Sequence, residues 1–277
     1  MFKSVNQWSF PGSYTAAQCL LAAKKAGFAG FEPSFNEEGE LSLQGFAQDA
    51  KALRALAASE GMILPSLASG LYWGYPLTAT DPAVREKAQD IVRRQLDCAA
   101  ELGVGAILVV PGAVGRGFWG GSDNDSYADA YARALEGVRA VAPYAEQAGV
   151  TIALENVWNN FLLSPLEFAR FVDEAGSPAV AAYFDIGNVI RTGEAEHWIE
   201  VLAGRISRVH IKDYKRSVGT LDGFCDLLAG DVNFPATMRA LRAAGYDNAV
   251  TAEMNIASQD MLAVVERTSR AMDLILS

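Results

Sequence analysis

Histidine is the scarcest chemistry-bearing residue in this chain, with only His197 and His210 among 277 residues. A multinuclear metal site built on several imidazoles is therefore excluded. Cysteine is nearly as rare. Cys19, Cys98 and Cys225 are odd in number and show no C-x-x-C spacing. That pattern argues against a disulfide framework or a zinc-finger-like site, and for a reducing, cytoplasmic setting. Basic residues are also short, 23 against 33 acidic ones, giving a formal charge of −10. Nucleic acid and anionic lipid both need clustered Lys and Arg, so neither is an expected partner. No apolar run reaches the roughly 20 residues that a membrane span requires. The opening MFKSVNQWSFPGSY carries polar residues and a proline where a secretory signal would need its apolar region.

What is present is an ordinary globular composition, 51% hydrophobic and 20% charged. A punctuation pattern recurs along it: an alanine-rich amphipathic stretch, a glycine, then a short apolar run. Examples are CAAELGVGAILVVPG from Cys98, YAEQAGVTIALEN from Tyr144 and LRAAGYDNAVTAEMN from Leu241. Gly27, Gly61, Gly103, Gly149, Gly176, Gly204 and Gly245 each stand where a helix would end in a left-handed cap. The runs that follow are rich in Val, Ile, Leu and Phe, as strands buried on both faces require. With a first strand at Ser4 to Trp8 and a last helix from Asp260 to Leu276, eight strands alternate with eight helices. That is the arithmetic of a (β/α)8 TIM barrel, of class α/β, in one domain spanning residues 1–277. The rival, a doubly wound sheet, needs a glycine-rich phosphate loop after its first strand, and Trp8-Ser9-Phe10-Pro11-Gly12-Ser13 does not supply one.

The longer interruptions, Ser69 to Thr80, Pro111 to Ser126 and Tyr214 to Phe234, all follow strands. In a barrel they gather at the C-terminal face, where active sites lie. Tyr72, Trp73, Tyr75, Phe118 and Trp119 sit in the first two beside several glycines. They are expected to anchor those loops or to form an apolar wall and lid.

Charged residues at strand ends carry the chemistry. Glu155 ends TIALE, Asp185 ends AAYFD, His210 lies in ISRVHIKD and Glu253 ends AVTAE. Each comes after a run that must be buried, so each must be paired or bind something. Three carboxylates at one end of one barrel repel one another unless a cation sits among them. Carboxylate oxygens with one imidazole suit a hard divalent ion, Mn²⁺ first, with Co²⁺, Mg²⁺ or Zn²⁺ as the others. Lys212, two residues past His210, would share its face and contact substrate or a carboxylate. Glu32, ending GFE on the second strand, and Trp8, ending the first, are further substrate candidates.

These residues resemble those of the xylose-isomerase-like sugar and sugar-phosphate isomerase/epimerase superfamily. It includes ketose 3-epimerases, L-ribulose-5-phosphate 3-epimerase and hydroxypyruvate isomerase. The resemblance spans almost the whole chain and is densest from Thr151 to Asn255, in ENVWNNFLLSPLEFARFVDEAGSPAVAAYFDIGNV, HIKD and GDVNFP. It implies a metal held by Glu155, Asp185, His210 and Glu253, with Glu155 and Glu253 also exchanging protons with the substrate. It implies an epimerase or isomerase of a ketose or ketose phosphate acting through a cis-enediolate. Hydroxypyruvate isomerase and an inosose dehydratase-like lyase are the enzyme alternatives, and a non-catalytic sugar-binding barrel is the alternative of another class. The family's substrate-contacting arginine is matched by Arg216. Where free-ketose epimerases carry a histidine this chain has Asn188, and where they carry a second glutamate it has Phe161. Both departures weaken the free-sugar assignment and are compatible with the phosphate branch. Assembly as a dimer or tetramer is a further family expectation. Endonuclease IV shares the fold but needs more histidines than this chain has.

Overall fold

A computed structural model describes residues 1–115, 126–254 and 260–277 of the chain. There are eleven strands and nine α-helices among these residues. The strands are β1 (Phe2–Asn6), β2 (Gly30–Glu32), β3 (Ser34–Phe35), β4 (Ala68–Ser69), β5 (Ala106–Val109), β6 (Thr151–Glu155), β7 (Val180–Asp185), β8 (Ile206–Ile211), β9 (Asp213–Tyr214), β10 (Phe224–Cys225) and β11 (Ala249–Ala252). The helices are α1 (Ala16–Lys25), α2 (Ala47–Glu60), α3 (Pro82–Leu102), α4 (Tyr127–Ala148), α5 (Pro165–Ala175), α6 (Ile186–Val189), α7 (Ala195–Leu202), α8 (Phe234–Ala243) and α9 (Met261–Leu276).

Seven strands form one parallel sheet in the order β2-β1-β11-β8-β7-β6-β5. The barrel closes between its two edges through the segment at residues 62–69. Ile63 bridges to Gly30, Leu67 bridges to Ile107, and Ser34–Phe35 pairs in parallel with Ala68–Ser69. Phe31 N donates to Ile63 O at 2.9 Å and Leu108 N to Leu67 O at 3.0 Å. Pro65 has no N–H to offer a ladder, so this eighth barrel strand is held by separate bridges rather than a continuous run. The fold is the TIM barrel that the alternation implies.

Outside the sheet, helices pack side by side in chain order, from α1 on α2 round to α8 on α9, and α9 returns against β1. The helix starts are locally written. Thr15 and Gln18 form a capping box on α1, Asp81 with Pro82 opens α3, and Ser164 with Pro165 opens α5. Asp260 caps α9, so the last helix begins one residue later than the sequence suggests. All seven punctuating glycines adopt positive φ, between +63° and +90°. At four of them, Gly61, Gly103, Gly149 and Gly176, the glycine is itself the cap. After α1, α7 and α8 an alanine caps and the glycine follows it.

The first strand differs from its expected span of Ser4 to Trp8. It ends at Asn6, whose side chain accepts from Trp8 N at 2.7 Å and starts a single 3-10 turn at Gln7–Ser9. That turn lifts Trp8 off the sheet and over the barrel mouth. Among the described residues, no helix is long and apolar enough to cross a membrane.

Candidate metal centre and cleft

Four neighbouring strands, β6, β7, β8 and β11, deliver the charged residues singled out above. Glu155 and Asp185 end β6 and β7, His210 is the penultimate residue of β8, and Glu253 follows β11. One ligand atom from each lies within 4.8 Å of the others, and all four residues are buried. His210 Nδ1 stands 3.3 Å from Glu155 Oε1, 3.0 Å from Glu253 Oε2 and 4.0 Å from Asp185 Oδ2. Lys212 lies just beyond the end of β8, yet its Nζ reaches Asp185 Oδ2 and Glu253 Oε2, each at 3.0 Å.

The back of the imidazole is as closely held. His210 Nε2 lies 2.8 Å from Glu32 Oε2, and Glu32 also accepts from Asn6 Nδ2 at 2.5 Å, Ser66 Oγ at 2.6 Å and Tyr183 OH at 2.6 Å. The sequence suggested Glu32 as a substrate contact at the mouth. The structure sets it behind His210, fully buried and off the cleft, because four donors draw its carboxylate inward.

Electrostatics divides the two glutamates. Burial pushes the Glu155 carboxyl up to about 7, a shift that the Glu253 charge reinforces and His210 opposes. Burial acts on Glu253 in the same direction, but the Lys212 and His210 charges outweigh it and hold Glu253 at about 2. Burial alone would lower His210. The Glu32 charge and hydrogen bonds to the surrounding carboxylates instead raise it well above its usual value.

The donor set fits a divalent cation on chemical grounds. Three carboxylates and one imidazole converge in a buried cluster, and Lys212 pairs with the Asp185 and Glu253 carboxylates there. Buried carboxylates so close together are costly unless further positive charge sits among them. Asp185 is fixed by its other contacts. Its Oδ1 accepts from Asn188 N at 2.9 Å, and its backbone exchanges two hydrogen bonds with the Asn156 side chain.

Above the cluster opens a cleft of about 540 Å³. Glu155, Glu253, Lys212, Asn188 and Trp8 line it, together with an apolar wall that includes Trp73, Trp158, Leu221 and Phe224. Of the expected lid aromatics, Trp73 reaches the cleft. Tyr72 is fully buried and bonds Gln95 at 2.6 Å, and Tyr75 bonds Glu37 at 2.9 Å. Phe118 and Trp119 lie outside the described residues. Arg216 does not join the cleft. It pairs with Glu194 at 2.6 Å and donates to Gly193 O at 3.1 Å. Phe161 is buried among Tyr127, Tyr131 and Phe171, so the position of the free-ketose family's second glutamate is occupied by core. His197 is exposed on α7, as its helical context suggests.

Sequence reasoning missed Trp158, Leu221 and Phe224. Trp158 lies three residues past Glu155, a spacing that places it at the same barrel mouth. Leu221 and Phe224 are brought in by the folding of their loop. Asp213 accepts from Tyr214 N, Gly230 N and Val232 N at 2.9, 2.8 and 3.2 Å, tying the loop's two ends together.

A TIM barrel with a cation-sized cluster under an open cleft defines a barrel enzyme for a small molecule. The model of the xylose isomerase-like TIM barrel family matches residues 20–275. The chain belongs to this family. It is 31% identical over 211 residues to a 2-epi-5-epi-valiolone 7-phosphate 2-epimerase of Actinoplanes sp., covering 76% of this chain and 71% of that one. It is 27% identical to a putative L-ribulose-5-phosphate 3-epimerase of Escherichia coli, covering 85% and 82%. Among solved structures, D-psicose 3-epimerase with D-tagatose from Clostridium cellulolyticum superposes with a TM-score of 0.83 over the full length of both chains, at 18% identity, a likeness of fold. Relatives named as epimerases place the chain among the sugar isomerase and epimerase enzymes and set aside the non-catalytic binding barrel.

Proposed function

We propose that the protein is a divalent-metal-dependent epimerase or isomerase of a ketose or ketose phosphate, working in a single barrel domain with Mn²⁺ as the first candidate ion. Glu155, Asp185, His210 and Glu253 would hold the ion. The carrying observation is that Glu155 and Glu253 come from the outer two of four adjacent strands and both line the cleft, with Asp185 and His210 between them. Two carboxylates so placed meet a bound substrate from two sides.

Moving a proton at a carbon beside a carbonyl needs a base near that carbon and stabilisation of the oxygen that gains charge. The bound ion would supply Lewis acidity at that oxygen. One glutamate removes the proton and the other returns a proton to the opposite face, inverting the centre through a cis-enediolate. Reprotonation at the neighbouring carbon would give aldose–ketose isomerisation. Lys212 and Asn188 line the same cleft and are placed to contact substrate hydroxyls. Trp8, Trp73 and Trp158 offer apolar faces to the C–H faces of a sugar and exclude water.

The test is solvent exchange. Metal-loaded protein is incubated in D₂O with a panel of ketoses and ketose phosphates and followed by NMR. Deuterium at C3 with new stereochemistry supports epimerisation, and deuterium at C1 or C2 supports isomerisation. Loss of water would replace this reading with a dehydratase, and no exchange with Mn²⁺, Co²⁺ or Mg²⁺ would end it.

A further inference from the structure

The cleft is poorly built to receive a phosphate. Its described charged lining is Glu155, Glu253 and Lys212, and the Lys212 ammonium lies 3.0 Å from both Asp185 and Glu253. A phosphate there would face the carboxylates with no uncommitted cation among the described residues. Two further cavities adjoin the cleft, and they differ in sign. One, of about 530 Å³, shares Trp8 with the cleft, and among the described residues Glu40 is its one charged lining residue. The other, of about 240 Å³, shares Val157, Trp158 and Asn188 with the cleft, and among the described residues Arg191 is its one charged lining residue.

We infer that this second cavity is the subsite for the terminal phosphate of the substrate, with Arg191 as its principal ligand. The inference rests on the epimerase or isomerase reading above and adds the substrate's phosphorylation and direction. Arg191 holds its guanidinium carbon 4.9 Å from the centre of the Trp158 ring, a cation–π contact that ties it to a residue lining both cavities. Trp158 is itself fixed. Its Nε1 donates to Asn188 O at 2.8 Å, and its ring packs against Tyr214 and Phe224 with centroids 5.2 and 5.3 Å away. The rest of the described lining includes the Thr192 hydroxyl and the Asn160 and Asn188 amides, groups that donate to phosphate oxygens, and no carboxylate among the described residues. A planar guanidinium suits bidentate recognition of phosphate. Asn188 borders both cavities, so a ketose over the cluster can extend past it with its phosphate at Arg191 and its hydroxyl-bearing end toward Trp8. Arg216, the arginine that family resemblance singles out, lines neither cavity and is engaged with Glu194.

The experiment compares wild type with Arg191→Ala and Arg191→Lys, metal-loaded, using L-ribulose, D-fructose and their terminal phosphate esters in the exchange assay. Arg191→Ala should raise KM for the phosphate esters by about ten- to a hundred-fold, the weight of a charge-assisted hydrogen bond, while the parent ketoses change by less than about two-fold. Arg191→Lys should recover part of the loss. Equal effects on esters and parents, or none on the esters, would overturn the subsite. A Glu40→Gln variant that improves the esters while Arg191→Ala leaves them unchanged would move the phosphate to the other cavity and overturn it as well. If no compound exchanges, the functional reading fails independently, and titration with inorganic phosphate then decides the subsite. Binding weakened about ten-fold by Arg191→Ala supports it, and unchanged binding rejects it.

Discussion

Glu32 Oε2 lies 2.8 Å from His210 Nε2, on the far side of the ring from Glu155 and Glu253. A carboxylate behind an imidazole fixes the ring's orientation and directs its other nitrogen, here Nδ1, at the cluster. Such partners weigh on metal affinity almost as the ligands do. Glu32→Gln keeps the shape but removes the charge. It should weaken Mn²⁺ binding about 10- to 100-fold by calorimetric titration while leaving the circular dichroism spectrum unchanged. Unchanged affinity would show that the ring is oriented without Glu32.

Lys212 sits where two candidate ligands would otherwise repel each other. Its Nζ is 3.0 Å from both Asp185 Oδ2 and Glu253 Oε2, with its side chain 11% exposed. Removing one partner of a buried ion network strands the others, at a cost of about 3 kcal/mol or more. Lys212→Met should therefore lower the melting temperature of the metal-free protein, and saturating Mn²⁺ should restore more stability to the variant than to the wild type. Equal metal-induced stabilisation of the two proteins would remove Lys212 from any part in neutralising the cluster.

The barrel could be read from the chain because its signals are local. Seven glycines that end helices need only their own φ to be correct, and all seven are at positive φ. The convergence of the candidate metal ligands could be read for a similar reason, since strand ends in a barrel share one face. What could not be read were relationships between distant segments. The Glu32 network joins β1, β2, β7, β8 and Ser66, up to 178 residues apart in sequence. Nothing in GFE distinguishes a carboxylate aimed at solvent from one turned back under a histidine. Arg216 and Arg191 exchange prominence for the same kind of reason. Glu194, 22 residues upstream of Arg216, captures it, while Arg191 lines a cavity that shares Trp158 with the cleft.

Gly187 offers a steric test of the same region. A Cβ there would lie 2.5 Å from Lys212 Cβ and 3.1 Å from Lys212 C and O. The obstruction is the backbone and the stem of Lys212, so no flexible tip can swing aside. Gly187→Ala should cost about 1–3 kcal/mol, as overpacking does, and should displace Lys212 from Asp185. The combined signature is a lower melting temperature with a loss of turnover larger than stability alone explains. Full activity in the folded variant would mean that Lys212 can shift without consequence.

Protonation sets the last prediction. His210 is raised well above its ordinary value because the Glu32 charge and the carboxylate hydrogen bonds outweigh burial. Burial leaves Glu155 at about 7. At neutral pH the metal-free cluster therefore carries protons on His210 and on a fraction of Glu155, whereas a cation requires a neutral imidazole and an ionised carboxylate. Binding must expel those protons, so affinity rises with pH and falls as pH drops through this range, by about tenfold per unit for each proton released. Calorimetric titrations with Mn²⁺ in buffers of different ionisation enthalpy count those protons. At least about one should appear per ion at pH 7, and an enthalpy independent of buffer would show that the imidazole is already neutral before the ion arrives.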